Sequence, residues 1–308
     1  MVAGVGFAAA LLVGFAGQRR YDAKVRAQHP APGSFALVDG HRLHYRLGGA
    51  GRFTFVLEAG LGDYSGSWGA LEPALARMGR VFVYDRAGLG WSEPGPSPRT
   101  PQRIAAELHQ LLETAGVPKP WILVGHSSGG VSQVLCTMDH PGDVAGLLLI
   151  DPSHKDQFQR MPPPPFLFKL LIPQLARTAP VGLPQLLAGS PDPMQNQSGH
   201  VAASGAELRA LLGMAETWGD RPLNLGRTPL YVLTAGNAAT APGKAEAEIR
   251  QARAVWTTLH EELVNASSSD IRRHLVVPDA GHYIHRTHPS AVVEAAGELT
   301  RRLQAATP

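Results

Sequence analysis

The 308-residue chain has almost no cysteine: Cys136 stands alone, so no disulfide can form within the chain. Charge is sparse as well, at 17% of residues, with a formal net charge of +3 and a pI near 9.2. No basic run is longer than the pairs Arg19-Arg20, Arg272-Arg273 and Arg301-Arg302. A nucleic-acid face is thereby excluded, and a small molecule is the expected partner. There is no internal repeat, which excludes a solenoid. With 44% hydrophobic residues the chain is not a disordered, solvating one. Its length is enough for one domain with a full core.

The first 17 residues, MVAGVGFAAALLVGFAG, lack any charge. That is the short limit for a membrane-spanning helix. A cleaved signal would carry basic residues ahead of its apolar stretch, whereas here Arg19-Arg20 follows it. The expectation is a membrane anchor over residues 1–20, with association through residues 1–17. By the positive-inside rule it leaves the rest of the chain on the cytoplasmic side. Residues 21–33, ending His29-Pro30-Ala31-Pro32-Gly33, read as a linker.

Strand-like runs then recur with helical patterns between them. Phe35–Val38 and Leu43–Arg46 flank the hairpin signal Asp39-Gly40. Further strands are predicted at Phe53–Leu57, Val81–Tyr84, Trp121–Val124, Gly146–Ile150, Pro229–Leu233 and Arg273–Val277. The later ones are apolar throughout, as strands buried on both faces of a parallel sheet are. Helices fit at Trp68–Arg77, Ile104–Ala115, Val131–Asp139 and Ala291–Leu303. The alternation predicts a doubly wound, mostly parallel eight-stranded α/β sheet. Residues 152–227 break the pattern with Met161-Pro162-Pro163-Pro164-Pro165 and apolar helical stretches near Phe166–Leu171 and Leu208–Met214. They read as a helical cap inserted in a core of residues 34–151 and 228–308.

Gly125-His126-Ser127-Ser128-Gly129 matches G-x-S-x-G, a common pattern on its own. Its context is what counts: a buried strand lies directly before it and a helix-forming run directly after. That is a strand-to-helix elbow, whose tight turn needs small residues two before and two after the serine. The helix N-terminus there favours a developing oxyanion. Ser127 is thus the candidate nucleophile, and a serine hydroxyl needs a base. Gly281-His282 follows the last strand and stands at the carboxyl edge of the sheet, which makes His282 the candidate base. His282, His285 and His288 form an H-x-x-H-x-x-H series, but no acid or cysteine completes a metal set, and none is expected.

The third member orients the imidazole. Asp151 ends the sixth strand at the correct edge, and Glu246 and Glu248 are the alternatives, in a helix leading to Trp256. Backbone N–H groups of Ser128 and of Leu61, in Glu58-Ala59-Gly60-Leu61-Gly62, are the expected oxyanion donors.

Four ordered stretches carry a resemblance: Phe53–Leu57 with Ala59-Gly60-Leu61-Gly62; Tyr84-Asp85-Arg86-Ala87-Gly88-Leu89-Gly90-Trp91-Ser92; Val124 to Gly130; and Asp279-Ala280-Gly281-His282. Over about residues 34 to 304 the chain resembles the α/β-hydrolase superfamily. The resemblance implies esterase or related acyl-transfer chemistry under a helical cap, without a cofactor. Two departures stand out. The usual His-Gly after the third strand is Ala59-Gly60, and the usual Asp after the seventh strand is absent, with Asp151 in the place some members use. A serine nucleophile also speaks against the haloalkane dehalogenase and epoxide hydrolase branches. Asp85, Arg86 and Ser92 resemble the family's structural residues.

The leading expectation is hydrolysis of a carboxylic ester through an acyl-enzyme on Ser127. The cap's Phe158, Phe166, Leu167, Phe168 and Met214 point to an apolar ester. The same three residues also suit lactones, amides, thioesters or carbon–carbon bonds. A membrane-tethered binding protein that keeps the pocket is the non-enzymatic alternative.

Overall fold

The structure, a computed structural model, describes residues 2–161, 171, 172, 174–237 and 246–306, with the backbone alone for residues 2–9. Eight strands form one sheet in the order β1-β2-β4-β3-β5-β6-β7-β8. They are β1 (Ser34–Val38), β2 (His41–Gly48), β3 (Thr54–Glu58), β4 (Arg80–Tyr84), β5 (Trp121–His126), β6 (Val144–Ile150), β7 (Leu230–Ala235) and β8 (Arg272–Val277). The β1–β2 and β2–β4 pairs are antiparallel and the other five are parallel. β3 and β5 are buried at every position, the expected signature of a sheet covered on both faces.

Alternate side chains of these strands feed two cores. Val56, Leu123, Leu147 and Val232 meet α3 (Pro101–Thr114) and α4 (Ser128–Asp139) on one face. Leu57, Val124, Leu148 and Leu233 meet α2 (Leu71–Ala76) and the C-terminal helix Pro289–Ala305 on the other. Period-two alternation across the pleat puts one core on each side. α3 starts where the sequence provides a cap: the Thr100 hydroxyl accepts from Arg103 N–H at 3.3 Å, and Pro101 follows at the first position.

Between β6 and β7 lies the helical cap. Its longest described helix is Ser198–Leu212, followed by Met214–Trp218. The apolar side chains of this insertion divide. Leu211, Met214, Trp218 and Phe158 join the core, whereas Leu171, Leu183, Leu186 and Leu187 are exposed. Phe166, Leu167 and Phe168 lie outside the described residues.

The N-terminal expectation is overturned. Among the described residues, no helix is long and apolar enough to cross a membrane. The uncharged stretch is the first part of α1 (Val2–Gln28), which runs unbroken past residue 20 and takes in Arg19, Arg20, Asp22, Lys24 and Arg26. Its second half docks on the protein itself. Val25 is buried with Tyr64, Leu89 and Met194, and Arg26 Nε donates to Gln197 Oε1 at 3.1 Å. The anchor, its cytoplasmic orientation and the membrane association through residues 1–17 are therefore withdrawn.

Candidate active site

Register brings the predicted residues together. His126 ends β5 opposite Ile150 of β6, and Ile150 pairs with Leu233 of β7. Ser127 and Asp151 therefore leave adjacent strands at the same height. Both turn sharply, with φ of 51° at Ser127 and 44° at Asp151. A positive φ is costly for a residue with a Cβ, and here neighbours hold it in place. Asp151 N–H donates to Leu233 O at 2.7 Å, and Ser127 N–H to Ile150 O at 3.1 Å.

The glycines of the elbow are required by space. A Cβ on Gly129 would lie 2.5 Å from Glu58 O, and one on Gly125 would lie 2.6 Å from Gly130 Cα. The loop after β3 also runs against the elbow: a Cβ on Gly60 would lie 2.8 Å from His126 Nδ1 and 3.2 Å from Ser127 Cβ. Asp63 N–H donates to Gly60 O at 3.0 Å, closing a turn in which Gly62 has φ +69°. The turn leaves Leu61 N–H uncommitted. Neither it nor Ser128 N–H is engaged by another described residue. Leu61 and Ser128 line one cavity of about 20 Å³, with Arg86 and Glu207.

His282 Nε2 lies 3.0 Å from Ser127 Oγ, and its Nδ1 lies 2.6 Å from Asp151 Oδ2. The other carboxylate oxygen, Oδ1, accepts from Ala235 N–H and from Trp256 Nε1–H, each at 2.9 Å. Burial opposes ionisation of Asp151. The His282 hydrogen bond, the neighbouring imidazoles of His282 and His260 and the Ala235 N–H outweigh it and hold the carboxyl below its ordinary value. Glu246 is far from this arrangement, exposed and paired with Arg250 at 2.6 Å, and Glu248 is exposed beside it.

Several neighbours carry no local sequence signal. His260 Nε2 donates to Pro152 O at 2.8 Å while its Nδ1 faces Thr234 Oγ1 at 2.6 Å. Burial holds His260 down to about 4, so it stays neutral beside Asp151. On the other side His126, His282 and Tyr283 pack together, with His126 Nε2 donating to His282 O at 3.0 Å. His285 is buried against His126 and Trp68, and burial pushes it down to about 3. His288 instead meets Thr287 Oγ1 at 2.9 Å, so the three-histidine series does not converge.

Two clusters elsewhere bring potential metal ligands together: His109, His140 and Asp143, and His154, Asp156 and Glu262. In the first, the imidazoles stack at 3.5 Å with 11° between planes, and Lys119 Nζ holds Asp143 at 2.7 Å. A metal about 2.1 Å from both nitrogens would lie far outside both ring planes. In the second, Lys155 and Arg160 already pair with the carboxylates.

Buried acid and base surround the loop after β3. Arg86 makes a two-pronged pair with Glu207 of the cap, Nε–Oε1 at 2.8 Å and Nη2–Oε2 at 2.9 Å. It also donates to Ala59 O at 2.5 Å and Gly60 O at 2.8 Å. Glu58 is left 4.0 Å from Arg86 Nη1, and burial raises its carboxyl to about 8 despite that cation.

The sequence profile of the alpha/beta hydrolase family matches residues 55–296, and the chain belongs to that family. It is a hydrolase by that membership. YqjL of Bacillus subtilis is 28% identical over 257 residues, 83% of this chain and 87% of YqjL. Two solved structures share the fold. An esterase from Thermogutta terrifontis is 22% identical with a TM-score of 0.57, over 88% of this chain and 98% of its own. The Cif epoxide hydrolase from Acinetobacter nosocomialis is 16% identical with a TM-score of 0.67, over 92% of this chain and 96% of its own.

Proposed function

We propose that the protein hydrolyses carboxylic esters, with Ser127 as nucleophile, His282 as general base and acid, and Asp151 as the group that orients and stabilises the imidazolium. One observation carries this reading: His282 bridges Ser127 Oγ at 3.0 Å and Asp151 Oδ2 at 2.6 Å. With Nδ1–H donated to Asp151, Nε2 is the lone-pair nitrogen that faces the hydroxyl. It takes the serine proton as Oγ attacks the ester carbon, then returns it to the departing alkoxide. The N–H groups of Leu61 and Ser128 receive the negative charge that develops on the carbonyl oxygen. Water repeats the sequence on the acyl-enzyme and frees the acid.

The Cif likeness brings in epoxide opening as a competitor. That chemistry, run through an alkyl-enzyme ester, needs a carboxylate where this chain has Ser127. A lactone, amide or thioester would pass through the same acyl-enzyme. The test is turnover of p-nitrophenyl esters together with labelling by a fluorophosphonate. Ser127→Ala is expected to abolish both in a folded protein, since loss of such a residue costs about 10⁴–10⁶ in kcat. Retained turnover in the variant would overturn the assignment.

A further inference from the structure

We infer that the cap helix Ser198–Leu212 is part of the oxyanion apparatus, with Glu207 and His200 as positioning residues for the loop that carries the Leu61 N–H. The inference rests on the ester-hydrolase reading above. Gly60 C=O and Leu61 N–H belong to one planar unit and point in opposite directions. Whatever fixes the carbonyl therefore aims the N–H.

Arg86 fixes that carbonyl. Its Nη2 donates to Gly60 O at 2.8 Å and its Nη1 to Ala59 O at 2.5 Å. The guanidinium is itself held by both oxygens of Glu207, at 2.8 and 2.9 Å. Arg86 and Glu207 are both buried, so this is a low-dielectric, charge-assisted contact with a defined plane. Glu58, protonated up to about 8, does not compete for Arg86 at neutral pH.

The far end of the loop is held by the same helix. His200 Nε2 donates to Gly62 O at 2.8 Å, while its Nδ1 accepts from Gly90 N–H at 3.1 Å. The Gly90 donor sets that tautomer, since it needs the lone pair on Nδ1 and leaves the proton on Nε2, and burial holds the imidazole below its ordinary value. Gln195, just before the helix, also reaches Gly62 O at 3.3 Å. The turn Gly60–Asp63 thus hangs between two anchors seven residues apart on one cap helix. Glu207, Leu61 and Ser128 line the same small cavity, so the cap anchor and the residues that carry the two donors are close neighbours. An oxyanion donor acts by being in place before charge develops, and its misplacement costs rate rather than substrate affinity.

The experiment uses the full-length chain, a p-nitrophenyl butyrate assay and a trifluoromethyl ketone. Ser127 Oγ adds to the ketone carbon while its proton passes to His282 Nε2, which leaves the negative charge on the former carbonyl oxygen. Glu207→Gln and His200→Leu are expected to lower kcat about tenfold, with KM within about twofold. Affinity for the ketone falls by the same factor as kcat/KM. His200→Gln, whose amide can again donate to Gly62 O, recovers most of the loss. Thermal melts establish that each variant is folded. If His200→Leu does not fold, the isosteric Glu207→Gln decides. An unchanged kcat would overturn the inference. So would a rise in KM alone, or ketone affinity that does not follow kcat/KM, for the cap would then only shape the substrate pocket. Activity surviving Ser127→Ala would instead strike at the underlying ester-hydrolase reading, which keeps the two failures apart.

Discussion

Trp256 donates its indole N–H to Asp151 Oδ1 at 2.9 Å, on the carboxylate oxygen opposite the one that meets His282. The acid therefore leaves β6 yet is steadied from the helix Glu246–Asn265, which follows β7. A carboxylate that bonds an imidazole through one oxygen can rotate about its own axis. Two donors on the other oxygen prevent that.

Trp256→Phe keeps an aromatic side chain, smaller than the indole, and removes one donor. A hydrogen bond to a charged group contributes about 1.5–3 kcal/mol. With Ala235 N–H still in place, a loss of roughly tenfold in kcat at similar KM is expected. Steady-state kinetics check it, and a rise in KM with kcat intact would show that Trp256 serves the substrate instead.

Asp151 also sets an acid limit. Its folded value lies below the ordinary carboxylate value, so folding favours the ionised form. The stability this contributes is present above the unfolded value and is lost as pH falls through the folded one. Melting temperatures of wild type and Asp151→Asn, measured from pH 7 down to 3, are expected to converge toward the acid end. Parallel curves would mean that Asp151 is not held in its ionised form.

Glu58 gives the opposite slope. Its carboxyl is raised from 4.5 to about 8, so the folded chain keeps a proton that the unfolded chain has lost across that window. Stability from this group is full below 4.5 and falls as pH rises through 8, by at most about 1.4 kcal/mol per pH unit. Glu58→Gln removes the titration. Its melting temperature relative to wild type is expected to rise steadily from pH 5 to pH 8.5. A constant difference would show that Glu58 is ionised at neutral pH.

The sheet and the elbow were legible because their signals are local. Apolar runs of strand length, Gly125 and Gly129 around Ser127, and an acid at the end of β6 each lie within a few residues. The helix Ser198–Leu212 was read only from Leu208 because Ser198, Gly199, Ser204 and Gly205 are poor helix formers. Packing explains one of them: a Cβ on Gly205 would lie 2.2 Å from Ala176 Cβ. Arg86 stood in a recognised motif, yet its partner Glu207 lies 121 positions away and leaves no pattern. The N-terminal run misled for a related reason. Its composition describes residues 1–17, whereas docking is decided by Asp22, Val25 and Arg26, one to two turns further along the same helix.

That docking has a measurable core. The Asp22 carboxylate accepts from Ser198 N–H at 3.1 Å and from Ser198 Oγ at 2.5 Å, and it is steadied by Gln18 Nε2 at 2.8 Å. The helix Ser198–Leu212 has no side-chain cap of its own at Gln197, so α1 provides one from a distant part of the chain. A carboxylate at a helix N-terminus satisfies a free N–H and meets the positive end of the dipole, together about 1–2 kcal/mol. Asp22→Ala is expected to lower the melting temperature by a few degrees. Ser198→Ala removes the hydroxyl partner but keeps the N–H, so it costs less. In the double variant the second substitution has less left to remove, and the cycle closes with a coupling on the order of 1 kcal/mol. Strict additivity of the two losses would mean that α1 rests on the cap without supporting it.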